Sequence, residues 1–228
     1  EQMLVIEGLD GVHARDIPTP RNYKQSLEGD FAEFWRQAVL TEVKNLEEHG
    51  VWEWVDRSSL PPGRYPIDTT WSFKAKANNE GLVEKFKARL CARGFRQRWG
   101  LDFVESYSPV TTLTAWRACV AEAAQTGWRI LVLDIRSAYL MTDLLEAVWL
   151  KPFPGVTPPR PGMIMRLRKC LYGLVQSGRS FNKQFHTRLL EMGMRQSKHE
   201  ACMYTYQGKQ GQILRLVMHV DDVCITSN

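Results

Sequence analysis

The sequence predicts an α+β fold with antiparallel strands, because helical and alternating patterns are mixed along one chain. In three segments apolar residues recur every three or four positions, which is the spacing of an amphipathic helix. Two other segments are typical of paired strands around a polar turn. The helices are predicted at residues 31–49, 112–126 and 177–192, and the hairpins at residues 72–90 and 214–226.

The N-terminal part of the chain is predicted to precede the folded body. Residues 1–22 are polar and contain Gly11, Pro18 and Pro20, so we expect a tail or linker there. The first helix is expected to start at the capping-box-like sequence that opens with Asp30 and to stop at Gly50. We interpret this helix as structural.

Basic residues are concentrated in the first hairpin and the segment after it. Between Ser72 and Trp99 there are eight basic and two acidic residues, so this segment exceeds the net charge of +5 carried by the whole chain. Period-2 alternation places the hairpin cations on one face, where they form either a solvated surface or a phosphate-binding surface. These residues are Lys74, Lys76, Lys85, Lys87 and Arg89.

The middle of the chain supplies a first candidate carboxylate. The run from Trp128 to Leu133 is predicted to be a short buried strand that ends at Asp134, and the pattern after it is helical through Leu140. An acidic side chain at the end of a strand is exposed at an edge where ligands commonly bind. The helix before this strand is expected to turn Leu113, Trp116, Val120 and Ala124 inward. Further strands are predicted near residues 52–55, 148–150 and 203–206, and a strand followed by a turn is predicted at residues 163–174.

The last predicted hairpin carries two adjacent acidic residues. An apolar, β-branched run from Leu214 to Thr226 is interrupted by Asp221 and Asp222, which favour a turn. Adjacent carboxylates repel, and a divalent cation commonly holds such a pair ionised. The alternative is an ordinary polar hairpin turn.

Composition excludes several classes of site. The 228 residues are 44% hydrophobic and 24% charged, as in a globular protein, and the pI near 9.0 permits nucleic-acid binding. Five scattered cysteines indicate neither a zinc site nor a disulfide framework. There is no P-loop, Gly-x-Ser-x-Gly or His-Glu-x-x-His motif, and the five histidines do not have the spacing of metal ligands.

No signal peptide or apolar run of transmembrane length is present, so no membrane partner is expected.

Three carboxylates therefore become the candidate catalytic site. Antiparallel strands of one sheet could bring Asp134 to Asp221 and Asp222, forming an all-oxygen site suited to Mg²⁺ together with substrate phosphates. Two such ions about 3.5–4 Å apart stabilise the attacking and leaving oxygens of a phosphoryl transfer. Adjacent strand residues point to opposite faces, so one of the pair is expected to bind metal directly with Asp134, and we favour Asp221.

Seven sequence blocks, in order, resemble the reverse transcriptase domain of copia-type LTR retrotransposon Pol polyproteins. They extend from Trp35 in the first helix to the Val220-Asp221-Asp222 motif, and so cover most of the chain. The blocks between include Lys87–Gln97, Gly100–Val110, Leu133–Leu140 and Leu171–Ser177. A Val-Asp-Asp motif alone would be weak evidence for this family, but the ordered set of blocks is specific to it.

The resemblance implies an RNA-directed DNA polymerase of right-hand architecture that ends before a thumb. Fingers are implied at 23–110 with a contribution from 145–170, and palm at 111–144 and 171–228. It implies Mg²⁺ or Mn²⁺, an RNA or DNA template with primer, dNTPs, and the thumb and RNase H parts of the polyprotein as partners. An intracellular location, cytoplasmic or within virus-like particles, is also implied; nothing indicates the oligomeric state.

Individual site residues follow from the same resemblance. It implies metal ligands at Asp134, Asp221 and Asp222, and a sugar-excluding aromatic ring at Tyr139. Either Lys87 or Arg89 would hold the triphosphate, and the turn at Tyr172-Gly173 would lie near template and nucleotide.

Departures from the family pattern support a second hypothesis. His219 replaces a Tyr, Met141-Thr142 replaces Asn-Gly, Val175 replaces a Lys, Gly178 a Pro and Ser72 an aliphatic residue. The alternative is thus a catalytically inactive, truncated nucleic-acid-binding remnant. A phosphotransferase or nuclease on an unrelated α+β fold would explain the carboxylates but not the other blocks.

Overall fold

The structure, a computed structural model, describes residue 9 and residues 11–228, which form two compact units. Unit 1 contains the described residues up to Phe103 together with Leu144–Val175, and unit 2 contains Val104–Asp143 and Gln176–Asn228. Of the predicted tail, residues 1–8 and 10 lie outside the described residues. In the described part of the predicted tail, the Val12 carbonyl accepts a hydrogen bond from the Val83 N–H at 2.9 Å.

The elements alternate between helices and mostly antiparallel strands, which confirms the predicted α+β class. Within the described residues, each helix is too short or too polar to span a lipid bilayer. The helices are α1 (Ala32–Glu48), α2 (Leu113–Thr126) and α3 (Ser177–Glu191). The strands are β1 (Trp52–Asp56), β2 (Thr69–Ala77), β3 (Val83–Ala92), β4 (Arg129–Asp134), β5 (Trp149–Leu150), β6 (Met163–Leu167), β7 (Arg195–Gln196), β8 (Met203–Gln207), β9 (Ile213–His219) and β10 (Asp222–Ser227).

Helix α1 packs an apolar face into unit 1. Trp35 is 1% exposed, and its ring meets Phe86 edge-on at 4.6 Å between centroids. The helix stops before Gly50, whose φ of 60° suits a residue without a side chain. The predicted cap at Asp30 is wrong, because Phe31 is the N-cap residue and its side chain makes no capping bond.

The basic hairpin has the predicted two faces. Strands β2 and β3 pair so that Phe73 lies opposite Ala88, and both are buried. On the other face Lys74 lies opposite Lys87, and Lys76 lies opposite Lys85. Like charges directly opposite each other destabilise a hairpin. That this face binds phosphate stays a prediction. Strands β1, β6 and β5 form a separate three-stranded sheet in unit 1.

Unit 2 is a five-stranded antiparallel sheet in the order β4-β10-β9-β8-β7. One buried cluster joins α3 to this sheet, with Phe181 from the helix and Tyr204 and Met218 from the strands. Because this core fixes β9 and β10, it also fixes the hairpin that carries Asp221 and Asp222.

Three predictions for unit 2 are wrong. Strand β4 is exposed along its whole length, with Val132 63% exposed, because it is the outermost strand of the sheet. Residues 136–141 form turns instead of a helix, and Ser137 has a φ of 52°, which interrupts a right-handed helix. Helix α2 buries Cys119 and Ala123, whereas Leu113 is 62% exposed.

Candidate active site

The carboxylates meet at one end of the β4–β10 ladder. Asp134, the last residue of β4, is paired with Asp222, the first residue of β10. The Ile135 N–H donates to the Asp221 carbonyl at 2.9 Å, so Asp134 and Asp222 form a non-hydrogen-bonded antiparallel pair. In such pairs the α-carbons are about 4.5 Å apart and the side chains share a face. The sheet thus brings together two acidic residues that are distant in sequence.

A two-residue turn places Asp221 beside this pair. Val220 and Asp221 join His219 to Asp222, which are themselves cross-strand partners. Val220 has a φ of 57°, a conformation that a β-branched residue rarely adopts. Asp221 lies in the turn, where the ladder does not dictate the direction of its side chain. The expectation that Asp221 is the direct metal ligand therefore stays a prediction.

The donor set and its exposure fit a divalent cation that also binds substrate. Asp134 and Asp222 are exposed, Asp221 is half-buried, and His219 is exposed. Mg²⁺ is typically held by one or two carboxylates, several waters and substrate phosphates, so a facing pair open to solvent suits it. In the part of the chain that the structure describes, no three His, Cys, Asp or Glu side chains gather into a closed metal cluster.

Tyr139 lies in unit 2, in the turns at residues 136–141 that follow strand β4. Its ring is half-buried and meets Phe181 of α3 edge-on, with 6.2 Å between centroids. Gly178, which stands where the family has Pro, would bring an added Cβ to 3.8 Å from the Tyr139 hydroxyl oxygen. The ring is therefore held by α3, and any role toward a nucleotide sugar remains a prediction.

The candidate nucleotide-binding cations lie in unit 1. The guanidinium carbon of Arg89 is 4.8 Å from the centroid of the Tyr172 ring, a cation–π distance. Lys87 is half-buried, and its pKa is lowered, first by burial and then by the neighbouring cations Arg89 and Lys76. A bound anion would relieve both effects, so Lys87 and Arg89 both remain candidates.

The Tyr172-Gly173 turn packs against the end of β3 at a distance that only glycine permits. The Ala92 N–H donates to the Tyr172 carbonyl at 2.7 Å. A Cβ on Gly173 would overlap the Ala92 carbonyl, and one on Gly94 would overlap the Gly173 carbonyl. This turn is thus fixed to the strand that carries Lys87 and Arg89.

Two buried side chains of unit 1 were not assigned a role from the sequence. Glu42 of α1 is 9% exposed, accepts the Leu90 N–H at 3.3 Å, and has a pKa raised by burial. Gln97 accepts the Val175 N–H at 2.8 Å through its side-chain oxygen. The sequence offers no signal for either contact, because both join segments distant in the chain.

Comparison with known proteins gives a consistent match. The sequence model of the family described as "Reverse transcriptase (RNA-dependent DNA polymerase)" matches residues 49–228. The Pol polyprotein from transposon RE2 of Arabidopsis thaliana is 34% identical over 210 residues, which covers 92% of this chain and 14% of the relative.

More distant relatives align over nearly the same extent. The Pol polyprotein from transposon TNT 1-94 of Nicotiana tabacum is 28% identical over 211 residues, covering 92% of this chain and 16% of the relative. The Gag-Pol polyprotein of transposon Ty1-DR4 of Saccharomyces cerevisiae is 29% identical over 205 residues, with 84% and 11% covered. The chain thus spans about one-seventh or less of the length of most of these relatives.

Proposed function

The chain belongs to the reverse transcriptase (RNA-dependent DNA polymerase) family, and we propose on that basis that it carries the fingers and palm of such an enzyme in a Pol polyprotein. The resemblance to copia-type reverse transcriptases is confirmed by the relatives from transposons RE2 and TNT 1-94. In this proposal unit 1 is the fingers and unit 2 is the palm.

The observation that carries the proposal is the facing pair of Asp134 and Asp222. Two carboxylates on one sheet face, with Asp221 in the adjoining turn, would hold Mg²⁺ or Mn²⁺. When bound, such ions supply charge stabilisation to the attacking and leaving oxygens of a phosphoryl transfer. The residues themselves orient the site and keep it open to a polyanionic substrate, since both members of the pair are exposed.

The reaction is nucleotidyl transfer from a dNTP to a primer. The primer 3′-hydroxyl oxygen forms a bond to the α-phosphorus, the bond from that phosphorus to the β-phosphate bridging oxygen breaks, and pyrophosphate leaves. The hydroxyl proton passes to solvent. The chemistry therefore requires an RNA or DNA template with primer and dNTPs, and the other parts of the polyprotein are further partners.

Unit 1 contributes the cations for the triphosphate. Lys87 or Arg89 contacts the phosphates, because both lie on the basic face of the β2–β3 hairpin, where lysines oppose each other. In this proposal the Tyr172-Gly173 turn lies near the template and the incoming nucleotide, and the contact between the Arg89 guanidinium and the Tyr172 ring ties it to the basic hairpin. Tyr139 excludes the 2′-hydroxyl of a ribonucleotide.

A second candidate function is a nucleic-acid-binding remnant without catalysis. The observation that favours it is His219, which stands where the family has Tyr and lies opposite Asp222. In this candidate function, the basic surface of unit 1 binds nucleic acid and the carboxylate pair has no role.

Primer extension on poly(rA)/oligo(dT) with dTTP, first with Mg²⁺ and then with Mn²⁺, separates the two candidates. With the chain joined to the thumb part of its polyprotein, we expect incorporation by the wild type and a loss of at least about 100-fold for Asp134→Asn and Asp222→Asn, since charge stabilisation at such sites contributes several kcal/mol. Asp143→Asn, an exposed acid in the same unit, is the matched control. Template binding without carboxylate-dependent incorporation would reject the polymerase and favour the remnant.

A further inference from the structure

One buried carboxylate of unit 1 takes no part in the proposed chemistry. Glu42 is 9% exposed and shares the buried face of helix α1 with Trp35, Val39 and Leu46, at the spacing of one helix face. A glutamate is rarely buried unless it is paired, because taking a carboxylate out of water is costly. The partners of Glu42 therefore indicate what it does.

The carboxylate of Glu42 lies against the outer edge of strand β3. Strands β2 and β3 form a two-stranded sheet, so the N–H groups of β3 that point away from β2 need other partners. The Leu90 N–H donates to Glu42 Oε1 at 3.3 Å. The side chain of Asn45, one turn further along α1, also forms a hydrogen bond with this carboxylate. Glu42 is thus fixed beside the peptide bond that joins Arg89 to Leu90.

Two cations of the basic face interact with this carboxylate. Lys87 and Arg89 alternate with the buried residues of β3 and so share one face of the strand. Burial raises the pKa of Glu42, whereas the Leu90 N–H opposes that rise, and so do the charges of Lys87 and Arg89. Burial, followed by the charges of Arg89 and Lys76, lowers the pKa of Lys87, and the Glu42 carboxylate opposes that fall. The acid and the lysine therefore each favour the charged form of the other.

We propose that Glu42 is a positioning residue that holds the Lys87 ammonium group, charged and in place, for the triphosphate of the incoming nucleotide. Glu42 acts through Lys87 and does not itself contact the substrate, because its carboxylate is buried against the edge of β3. The negative charge also offsets the repulsion between Lys87 and Lys74, which lie opposite each other in the hairpin. This inference rests on the proposed function, in which Lys87 is a candidate phosphate ligand.

The alternative is that Glu42 only satisfies the Leu90 N–H at the edge of the sheet. A neutral amide oxygen would do so equally well, and Glu42→Gln therefore separates the two roles. This variant keeps an acceptor of the same size at the same place and removes only the charge. It also removes the cost of burying a carboxylate, so its urea midpoint should stay close to that of the wild type.

The charge of Lys87 can be measured in the whole chain without any substrate. Trace acetic anhydride acylates only the uncharged amine, so the acylation rate of Lys87, read by mass spectrometry against that of Lys209 between pH 7 and pH 11, reports its protonation. We expect Glu42→Gln to raise this rate at pH 8 by about three- to tenfold, since loss of a nearby negative charge lowers the pKa of a lysine.

Two further variants control this measurement. Glu84→Gln removes an exposed acid from the same strand and should leave the acylation rate of Lys87 as in the wild type. Glu42→Asp keeps the negative charge on a shorter side chain and should restore most of the wild-type rate. A role limited to the Leu90 hydrogen bond predicts the opposite order, with Glu42→Gln like the wild type and Glu42→Asp changed.

Steady-state kinetics test whether this charge serves the triphosphate. In primer extension by the chain joined to the thumb part of its polyprotein, Glu42→Gln should raise the KM for dTTP by about three- to tenfold and change kcat by less than about twofold. In a Lys87→Ala background the same substitution should raise the KM no further, because Glu42 acts through Lys87. In an Arg89→Ala background it should keep its full effect.

The outcomes separate this inference from the polymerase proposal. If Lys87 is acylated at the same rate in Glu42→Gln and Glu84→Gln, the inference is overturned, whatever the kinetics show. Independent effects of Glu42→Gln and Lys87→Ala on the KM would overturn it as well. If the wild-type protein does not extend a primer while Glu42→Gln still raises the acylation rate, the polymerase proposal fails and the pairing of Glu42 with Lys87 stands.

Discussion

Asp222 lies directly opposite Asp134 in the antiparallel pairing of β10 with β4, and the Ile135–Asp221 backbone bond fixes this register. A slip of one residue would send one of the two carboxylates to the other face of the sheet. The facing pair is therefore a property of the register, and two like charges placed directly opposite each other destabilise the sheet.

We expect this pair to bind a divalent cation. Asp222→Asn should weaken Mn²⁺ binding by about tenfold or more, because it removes a charged oxygen donor. Electron paramagnetic resonance of free Mn²⁺ measures the affinity without any enzyme activity, and Asp143→Asn is the control. The same titration of Asp221→Asn tests whether the turn residue is the direct ligand: a loss at least as large as that of Asp222→Asn would support it, and wild-type affinity would reject it.

The turn that carries Asp221 stores strain at Val220. A β-branched residue held at a φ of 57° lowers the stability of the folded protein by about 1–3 kcal/mol, and glycine at the same φ would not be strained. We expect Val220→Gly to raise the free energy of unfolding, measured in urea, by about 0.5–2 kcal/mol. Val132→Gly, at an exposed strand position with ordinary φ, should lower it instead by about 0.5–1 kcal/mol. Equal destabilisation by both changes would contradict the assignment of strain.

Gly173 is required by close packing as well as by its φ of 83°. An added Cβ would overlap the Ala92 carbonyl oxygen, so Gly173→Ala should destabilise unit 1 by about 2 kcal/mol or more. Gly100 has a similar φ of 78°, but a Cβ there meets nothing within 4 Å. Gly100→Ala should therefore cost only about 1 kcal/mol, the left-handed backbone penalty. Urea unfolding of the two variants isolates the packing contribution from the backbone contribution, and equal losses would show that packing is unimportant.

The choice between Lys87 and Arg89 can be made from steady-state kinetics. Among the described residues, no aromatic ring faces Lys87 as the Tyr172 ring faces Arg89, so we expect Lys87→Ala to raise the KM for dTTP by about tenfold with a smaller change in kcat. Arg89→Ala should lower kcat as well, because it also removes support from the Tyr172 turn. Lys209→Ala, at an exposed loop position, is the control. The reverse pattern would assign the triphosphate contact to Arg89.

Stability should fall at alkaline pH because of the core of unit 2. Burial raises the pKa of Cys202 from 9.0 to about 11 and that of Tyr204 from 10.0 to about 12. The folded state thus keeps protons that the unfolded state releases above pH 9, so stability decreases as pH rises from 9 to 11. We expect a loss of roughly 1–2 kcal/mol between pH 8 and pH 10, read from urea midpoints. Cys202→Ala should reduce this pH dependence, and an unchanged dependence would contradict the assignment.

The local pattern of apolar and polar residues was sufficient to predict the β2–β3 hairpin and the three helices. Alternation predicted both faces of the β2–β3 hairpin, since a strand side chain can only point to one side or the other. The helices α1, α2 and α3 were predicted within one or two residues. By contrast, β4 was predicted to be buried because its residues are apolar, and it is exposed because it is the edge strand.

The sequence by itself determined the α+β class, the family, and the three acidic residues that make a polymerase site plausible, because these depend on residue types in a fixed order. Tertiary structure alone decided that Asp222 is the residue that faces Asp134 and that Arg89 stacks on Tyr172. It also decided that the rings of Phe95 and Trp99 are exposed to solvent. These relations join segments far apart in the chain, and strand register and packing, which set such distances, leave no local signature in sequence.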